Sequence, residues 1–302
     1  MTAFMRCPLV PILAFFIVSS AGGRAAEEFV PSKAHWTITD SALRETSGLA
    51  ASPGDERFLW AINDSGNTPD LFLLDGFGGA HGRVRISAQQ NSDWEDLASF
   101  TLDGRPYLLI ADTGDNLAGR KLCALIVVPE PDVRNGQVDG DVEPAWVIRF
   151  VYEDGPRDCE AVAVDARERK VFLISKRTWP PMLYEIPLRP PSSKESVVAR
   201  RIGSVNLPKA DAWEGPYAAQ PTGLSFSPDG LVAAVLTYAR VFLFPRRPGE
   251  DWGSAFAREP VKLSRHGLEQ AEGIGFSRNG RNIHVVSEGL HGSMVTYEAS
   301  AK

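Results

Sequence analysis

The sequence predicts an all-β fold, a five-bladed β-propeller built from four-stranded antiparallel blades. Two observations support this prediction. A six-residue pattern recurs five times along the 302-residue chain, and short apolar runs separated by Gly, Pro, Asn and Asp follow each copy. No long helical pattern interrupts these runs, which argues against an α/β fold.

The repeated pattern is clearest at residues 93–98, Asp-Trp-Glu-Asp-Leu-Ala. Its first and third positions are polar, its fifth is aliphatic, and its fourth and sixth are mostly Gly, Ala or Ser. The other copies are residues 45–50, 158–163, 220–225 and 270–275. Small residues at fixed positions are expected where the innermost strands of a propeller crowd around its axis.

Each copy begins a group of predicted strands. The first two groups are residues 48–52, 58–62, 71–74 and 84–87, then 97–102, 107–111, 122–128 and 146–151. The next two are 161–164, 171–175, 182–186 and 197–202, then 224–227, 231–237, 241–244 and 261–264. The last group has only 274–277, 283–287 and 294–297, so we expect the N-terminal strand at 35–39 to complete its blade. Six blades is the alternative, because the second and third groups are long enough to contain further strands.

The N-terminus resembles a secretory signal. Arg6 precedes an apolar run at residues 8–20, and small residues follow up to Ala26. The run is short for a membrane span, which takes ~20 apolar residues, although an uncleaved anchor stays an alternative. We therefore expect a signal peptide at 1–26, a single domain at 27–302 without a transmembrane segment, and an exported monomer in the periplasm or outside the cell.

Charge and cysteine content restrict the partners and cofactors. The formal charge is −6 and no Lys/Arg-rich block occurs, so we expect no nucleic-acid partner. Cys123 and Cys159 remain after signal removal, too few for a zinc cluster. They can form a disulfide in an exported protein or stay as buried thiols on different strands, and the second interpretation is favoured.

Polar residues fall in two sets of loops that a propeller brings to one face. The loop entering the innermost strand and the loop leaving the second strand open on the same side of a four-stranded blade. Carboxylate oxygens without cysteine favour a hard cation, above all calcium. The predicted metal ligands are Asp93, Glu95, Asp158, Glu160, Glu272, Asp112 and Asp115. The alternative is structural, with these carboxylates bound to backbone N–H groups or to Arg from a neighbouring blade.

Cationic and amide side chains in the same loops predict an anion site beside the metal. The predicted substrate-binding residues are Lys176, Arg177, Arg240, Asn63 and Asp64. The candidates for proton transfer are His291 and Glu288, and the catalytic residues stay unassigned. No Gly-x-Ser-x-Gly elbow, P-loop or GxGxxG follows a predicted strand, which argues against those chemistries.

Three segments carry a family resemblance: Ser-Gly-Leu-Ala at 47–50, Trp-Ala-Ile-Asn-Asp-Ser-Gly at 60–66 and Leu-Phe-Leu-Leu-Asp at 71–75. They resemble the opening of the phytase-like propeller proteins, described as having esterase-like activity of phytase. With residues 93–96 and 111–116, the series also resembles a group of exported bacterial propellers. The resemblance spans most of the mature chain, is specific in its first half, and implies a secreted, calcium-dependent phosphoester hydrolase. It carries over no catalytic residue.

Two functional hypotheses follow. The first is a metal-dependent, phosphoesterase-like or esterase-like hydrolase that acts on a small anionic substrate through metal-bound water. The second is a non-catalytic module that binds a carbohydrate, a peptide or a component of the cell envelope. The sequence indicates no clear general base, and it does not identify the substrate.

Overall fold

The computed structural model describes residues 28–190, 192 and 195–300, and this part of the chain is all-β, as predicted. The predicted signal segment at 1–26 lies outside the described residues. Within the described part, no helix has the length and apolar character that a membrane span requires. Turn-forming residues stop each apolar run, so no strand exceeds nine residues.

The strands follow one another with short connections. The first are β1 (Phe29–Thr37), β2 (Thr46–Ala51), β3 (Phe58–Asn63), β4 (Asp70–Asp75) and β5 (Ala80–Ile86). Next come β6 (Trp94–Leu102), β7 (Arg105–Asp112), β8 (Cys123–Pro129), β9 (Asp141–Val142) and β10 (Trp146–Tyr152). Then follow β11 (Cys159–Asp165), β12 (Lys170–Ser175), β13 (Met182–Pro187) and β14 (Val197–Ser204). The last are β15 (Pro221–Phe226), β16 (Val232–Thr237), β17 (Val241–Pro245), α1 (Trp252–Phe256), β18 (Val261–Lys262), β19 (Ala271–Phe276), β20 (Asn282–Ser287) and β21 (Ser293–Ala299).

These strands form antiparallel meanders of four. The meanders are β2-β3-β4-β5, β6-β7-β8-β10, β11-β12-β13-β14, β15-β16-β17-β18 and β19-β20-β21-β1. In the last meander the N-terminal strand pairs antiparallel with β21, and Trp36 lies opposite Met294. The beginning and the end of the described chain therefore share one sheet, which leaves neither end as an isolated strand.

The first strands of the meanders form a closed ring. Contacts run from β2 to β6, then to β11, β15 and β19, and from β19 back to β2. Glycines allow this close approach: a Cβ on Gly48 would lie 2.6 Å from the backbone nitrogen of Leu97, and one on Gly223 would lie 2.9 Å from Ile274 Cγ2. We call the end of the ring where these strands begin the mouth, and the end where they finish the base.

The hydrophobic core lies between neighbouring meanders. The aliphatic fifth residue of every copy is at most 1% exposed, and these residues are Leu49, Leu97, Val162, Leu224 and Ile274. Trp94, which opens β6, is also fully buried and packs between β2, β3 and β7 side chains. Each such side chain contributes roughly 1.5–3 kcal/mol by leaving water. The core therefore fixes the register that orients the polar residues between the aliphatic ones.

Three local features differ from the sequence-based expectations. The segment between the predicted strands 122–128 and 146–151 contains β9, which pairs parallel with β5. β10 pairs parallel with β14, so two meanders join into one eight-stranded sheet. The short helix α1 begins where the Asp251 carboxylate accepts a hydrogen bond from the Ser254 N–H at 2.8 Å. β9 and α1 have two and five residues, too few to produce a hydrophobic period.

Cys123 and Cys159 are both free and buried, on β8 and β11. Burial raises the pKa of the Cys123 thiol to about 11 and that of the Cys159 thiol to about 12. Both sulfurs are therefore protonated core groups in the structure, in line with the favoured interpretation.

Candidate functional site

A β-bulge at the second residue of every ring strand builds the mouth. The pairing between each ring strand and its neighbour skips one residue at this position. The skipped residues are Ser47, Glu95, Glu160, Thr222 and Glu272. A bulge frees a side chain from the alternating in–out order of a strand, so it can re-aim that side chain. The repeat thus places three glutamates and two hydroxyls at equivalent points of the ring.

The hydroxyls hold the starts of the neighbouring strands. Ser47 Oγ donates to the carbonyl of Trp94 at 2.7 Å, and Thr222 Oγ1 donates to the carbonyl of Ala271 at 2.7 Å. Thr113 Oγ1, in the loop after β7, donates to the carbonyl of Cys159 at 2.8 Å. Each accepting carbonyl belongs to the residue just before a bulge glutamate. The hydroxyls therefore fix the backbone from which Glu95, Glu160 and Glu272 project.

The loops after the second strands of the meanders also reach the mouth. The N–H groups of Asp64, Thr113, Lys176 and Glu288 donate to carbonyls just before the neighbouring ring strand, at 2.7–3.1 Å. The accepting carbonyls belong to Glu45, Asp93, Asp158 and Gln270. The two sets of polar loops identified in the sequence therefore meet at one end of the ring.

Glu95 lies at the centre of the carboxylates. One oxygen each of Asp64, Asp93 and Glu95 lie within 4.8 Å of one another, and so do one oxygen each of Glu95, Asp158 and Glu160. The Glu95 side chain is buried, with 5% of its surface exposed, and among the described residues its carboxylate forms neither a hydrogen bond nor an ion pair. A buried carboxylate in this condition is unfavourable unless another charge compensates it.

Gly114 makes room for these carboxylates. A Cβ at this position would overlap Glu95 Oε1 and Asp93 Oδ2. At Gly114, the backbone of the loop after β7 thus lies directly against the two acidic side chains. Any larger residue would push them away from their present positions.

Burial shapes the protonation of the cluster. It raises the pKa of Glu160 to about 8, with Glu272 and Asp158 adding to the rise and Lys176 opposing it. It raises the pKa of Asp64 to about 6 and that of Glu288 to about 9, helped by neighbouring carboxylates. The pKa of Glu95 rises well above its usual value through burial and through repulsion from Glu160. The cluster therefore takes up protons in the absence of another positive charge.

Lys176 connects two of the bulge glutamates. Its ammonium group forms an ion pair with Glu160 and donates to the Tyr238 hydroxyl at 2.8 Å. The Tyr238 hydroxyl in turn donates to Glu272 Oε1 at 2.8 Å. Lys176, one of the predicted substrate-binding residues, thus lies at the mouth. Its charge is already paired with a carboxylate.

Arg177 lies at the rim of the mouth. Its Nε donates to Asp158 Oδ2 at 2.7 Å and its Nη2 donates to Asn116 Oδ1. Its side chain is 43% exposed, whereas that of Asp158 is 2% exposed. The guanidinium therefore covers one edge of the carboxylate cluster and faces solvent.

Asp112 and Asp115, two of the predicted metal ligands, are bound within the loop after β7. Asp112 forms an ion pair with Arg120 at 2.8 Å. The Asp115 carboxylate accepts hydrogen bonds from the N–H groups of Gly119 and Arg120 at 2.7 and 2.8 Å. Both side chains stabilise the loop and lie outside the two groups of close carboxylates.

Three other predicted site residues have structural partners. Asn63 Oδ1 accepts from the N–H groups of Arg44 and Glu45 at 2.9 and 3.0 Å, so it fixes the loop before β2. Arg240 pairs with Glu214 at 2.8 Å. His291 is exposed, and its Nδ1 lies 3.1 Å from the Ile38 carbonyl oxygen. Among the described contacts, none joins these residues to the carboxylate cluster.

Glu288 and Glu272 form a separate pair beside the cluster. Their carboxyl groups lie close enough for Glu272 to add to the raised pKa of Glu288, and Gln270 Nε2 donates to Glu288 at 3.0 Å. Glu272 therefore contacts Tyr238 and Glu288, and it lies outside the two groups of close carboxylates around Glu95.

Asp96 is a site residue that the sequence analysis missed. Its fully buried carboxylate accepts hydrogen bonds from the N–H groups of Leu97, Val162 and Leu224 at 2.8, 2.7 and 3.1 Å. It thus ties together β6, β11 and β15 just below the mouth. Its signal in the sequence is an aspartate at the fourth position of the repeat, where the other copies have only Gly or Ala.

Comparison with known proteins provides no family for the chain. No protein-family model matches it, and no curated protein matches it. A chain from the crystal structure of a nidogen/laminin complex is similar in structure, with a TM-score of 0.45 and 14% sequence identity. The alignment covers 82% of this chain and 77% of that chain. The function therefore has to be inferred from the residues of the site.

Proposed function

We propose that the protein is a five-bladed β-propeller whose mouth is a calcium-binding centre. Each meander corresponds to one blade, and the closed circuit of contacts from β2 through β19 back to β2 supports the count of five. The repeated bulge supports it independently, because five bulges occur at five equivalent strand starts.

The main support for calcium binding comes from Glu95. It is buried without a hydrogen bond or an ion pair among the described residues, and it is the member shared by both close carboxylate groups. Two ionised carboxylates ~5 Å apart repel each other by about 3 kcal/mol at an effective dielectric near 20. A divalent cation at Glu95 converts that repulsion into attraction.

The geometry and chemistry of the oxygens fit calcium. Calcium–oxygen distances are about 2.3–2.6 Å, so two ligands of one ion lie at most about 5 Å apart. The oxygens of each group lie within 4.8 Å of one another. All five side chains offer only oxygen, which hard cations prefer. The proposed ligands are Glu95, Asp64, Asp93, Asp158 and Glu160.

We further propose that this centre hydrolyses a small anionic, phosphoester-like substrate in an exported protein. When bound, calcium supplies a Lewis acid that polarises a substrate oxygen. The half-exposed guanidinium of Arg177 orients the anion at the rim, next to Asp158. Lys176 holds Glu160 and Tyr238 in place, and Glu288, beside Glu272, is the candidate for holding a proton.

A non-catalytic binding module is the second candidate, and one observation favours it. Lys176 and Arg177, the cations of the mouth, are already paired with Glu160 and Asp158. In the described part of the chain, no histidine touches the carboxylate cluster, so the site has no evident general base. In this alternative the calcium ion holds the mouth rigid for a carbohydrate, a peptide or a cell-envelope component.

Calorimetric titration with calcium and a thermal melt test the metal, and Glu95→Gln is the variant. We expect wild-type protein to bind calcium and to gain about 2.7 kcal/mol of stability when calcium is at 100 times its Kd. Glu143→Gln, a change on an exposed loop, is the matched control and retains both effects. No heat of binding and no change in melting temperature would overturn the calcium centre.

A panel of phosphoester and lactone substrates then separates the two candidates. Turnover that requires calcium and disappears in Glu95→Gln supports the hydrolase. Calcium binding without turnover of any substrate supports the binding module. Turnover that survives in Glu95→Gln without calcium would place the chemistry elsewhere.

A further inference from the structure

The base of the ring contains a cavity of about 420 Å³. The ends of all five ring strands line it, including Ala50, Ser99, Ala163, Ser225 and Phe276. A cavity of this size accommodates a small organic molecule. It opens away from the mouth, on the side of the ring where the strands finish.

Asp96 separates this cavity from the carboxylates of the mouth. Leu97 and Leu224 line the inner end of the cavity, and their N–H groups both donate to the Asp96 carboxylate. Gly48 closes the same layer from another strand, because even a Cβ on it would lie 2.6 Å from the Leu97 nitrogen. The base cavity is therefore a chamber distinct from the mouth.

The cavity wall combines apolar and hydroxyl groups. The lining includes the small residues Ala50 and Ala163 and the aromatic residue Phe276. Ser99 is half-buried, and Ser225 Oγ accepts a hydrogen bond from the Phe276 N–H at 3.1 Å. Such a wall suits a ligand with an apolar or planar body and a few polar atoms.

The charge at the entrance is positive. Arg167 and Arg278 both line the cavity and both are exposed. Arg167 Nη1 donates to the Asp229 carbonyl at 2.5 Å, and Arg278 Nη1 donates to the Gly54 carbonyl at 3.1 Å. These backbone carbonyls orient the guanidiniums without neutralising them.

Two of the carboxylates near the entrance have other cations as partners. Asp165, the acidic residue of the lining, forms an ion pair with Arg246 at 3.0 Å and accepts from Trp252 Nε1 at 3.1 Å. Asp55, close to Arg278, forms an ion pair with Arg57 at 2.7 Å. A third carboxylate, that of Glu130, accepts hydrogen bonds from Ser52 and Trp60 and also interacts electrostatically with Arg278. The hydrogen bonds given for Arg167 and Arg278 in the described ranges go to backbone carbonyls. The entrance thus retains two cationic groups.

We infer that the base cavity binds a small organic anion. The anionic group, a carboxylate, sulfonate or phosphate, binds Arg167 and Arg278, since guanidinium groups form paired hydrogen bonds with such oxyanions. The apolar body of the ligand packs against Ala50, Ala163 and Phe276. This site does not depend on the calcium centre.

Fluorescence titration with 8-anilinonaphthalene-1-sulfonate, an aromatic sulfonate, tests the inference on the folded full-length protein. We expect one saturable site per chain. Arg167→Ala and Arg278→Ala each weaken binding by about tenfold, the effect of one lost charged hydrogen bond of about 1.4 kcal/mol. Arg149→Ala, which removes an exposed arginine on β10, is the matched control and leaves the affinity unchanged.

Three further measurements locate the site. Ser99→Phe fills the cavity and abolishes binding, and a thermal melt shows whether this variant is folded; if it does not fold, the arginine variants decide. Calcium and Glu95→Gln leave the sulfonate affinity unchanged, because Asp96 separates the chambers. The neutral compound N-phenyl-1-naphthylamine binds at least about tenfold more weakly. Absence of saturable binding, equal affinity of both arginine variants and wild type, or equal affinity for the neutral compound would each overturn the inference.

Discussion

The mouth and the base of the ring are built by the same five strands and have opposite character. At the mouth, bulges aim Glu95, Glu160 and Glu272 inward, and further carboxylates surround them. Towards the base, the sixth position of the repeat is Ala, Ser or Gly in every copy, and two arginines line the entrance. The repeat encodes both ends, because its third position supplies the polar group and its sixth position supplies the small residue.

This difference shows how one ring of strands can contain two opposite electrostatic environments. Six residues along a strand span roughly 20 Å. At that distance and an effective dielectric near 20, two unit charges interact by only about 0.8 kcal/mol, compared with about 3 kcal/mol at ~5 Å. Asp96 lies between the two ends and takes its hydrogen bonds from three strands. The acidic mouth can therefore attract cations while the base attracts anions.

Asp96→Ala breaks the separation between the two ends and has the largest expected effect. It leaves three buried N–H groups without an acceptor, so we expect a loss of about 3–5 kcal/mol in the free energy of unfolding. Chemical denaturation measures this loss. Asp139→Ala, on an exposed loop, is the control. A loss below about 1 kcal/mol would show that Asp96 does not hold the ring together.

Glu95→Gln sharpens the comparison because its effect changes sign with calcium. Without calcium, we expect the variant to be more stable than wild type by about 1–3 kcal/mol, since one of several repelling charges is gone. With calcium, the variant loses affinity by about 100-fold or more. Thermal melts of both proteins, with calcium and with a chelator, show which protein is more stable in each condition. Equal stability of the two proteins under both conditions would contradict the account.

The pH dependence of stability in the calcium-free protein reports the burial of the same carboxylates and, to a smaller extent, their mutual repulsion. Burial raises the folded-state pKa of Asp64 to about 6, of Glu160 to about 8 and of Glu288 to about 9. The folded state then binds more protons than the unfolded state between about pH 4 and pH 9, so stability falls as pH rises through this window.

His266 and His284 act in the opposite direction at lower pH. Burial lowers the pKa of each to about 4, so their contribution to stability is lost as pH falls from about 6.5 to 4. The decline above pH 7 therefore isolates the carboxylates. We expect denaturation midpoints to decrease from pH 7 to pH 9 in chelator and to stay nearly level in calcium. A flat profile in chelator would contradict the prediction.

Gly114→Ala has the smallest expected effect on stability and a selective effect on the metal. The added methyl group displaces Glu95 and Asp93, so we expect calcium affinity to fall by about tenfold, equal to about 1.4 kcal/mol. Gly119→Ala, in the same loop with open space around it, is the matched control. Unchanged affinity in Gly114→Ala would show that these two carboxylates do not both bind the ion.

Much of the fold follows from the sequence, because the repeat and the apolar runs are local signals. The strands begin after turn-forming residues. The aliphatic fifth residue of each copy of the repeat is buried, as the repeated pattern predicts. The parallel pairing of β10 with β14 has no such signal, since it joins two edges that are distant in sequence.

The site is only partly predictable for a related reason. Glu95 and Glu160 belong to the repeat, and the structure brings them together. Asp115 occupies a similar loop but turns back to bind the N–H groups of Gly119 and Arg120. A sequence does not distinguish a carboxylate that caps its own loop from one aimed into the channel. It also does not show that Asp96 accepts hydrogen bonds from strands 66 and 128 residues away.

The most direct test of the central claim is an anomalous-diffraction map of crystals grown with terbium in place of calcium. The account predicts one strong peak at the mouth, about 2.3–2.6 Å from an oxygen of Glu95, and no peak in Glu95→Gln crystals. The predicted neighbours of that peak are Asp64 with Asp93, or Asp158 with Glu160. A wild-type map without a peak beside Glu95, or a peak that persists there in Glu95→Gln, would contradict it.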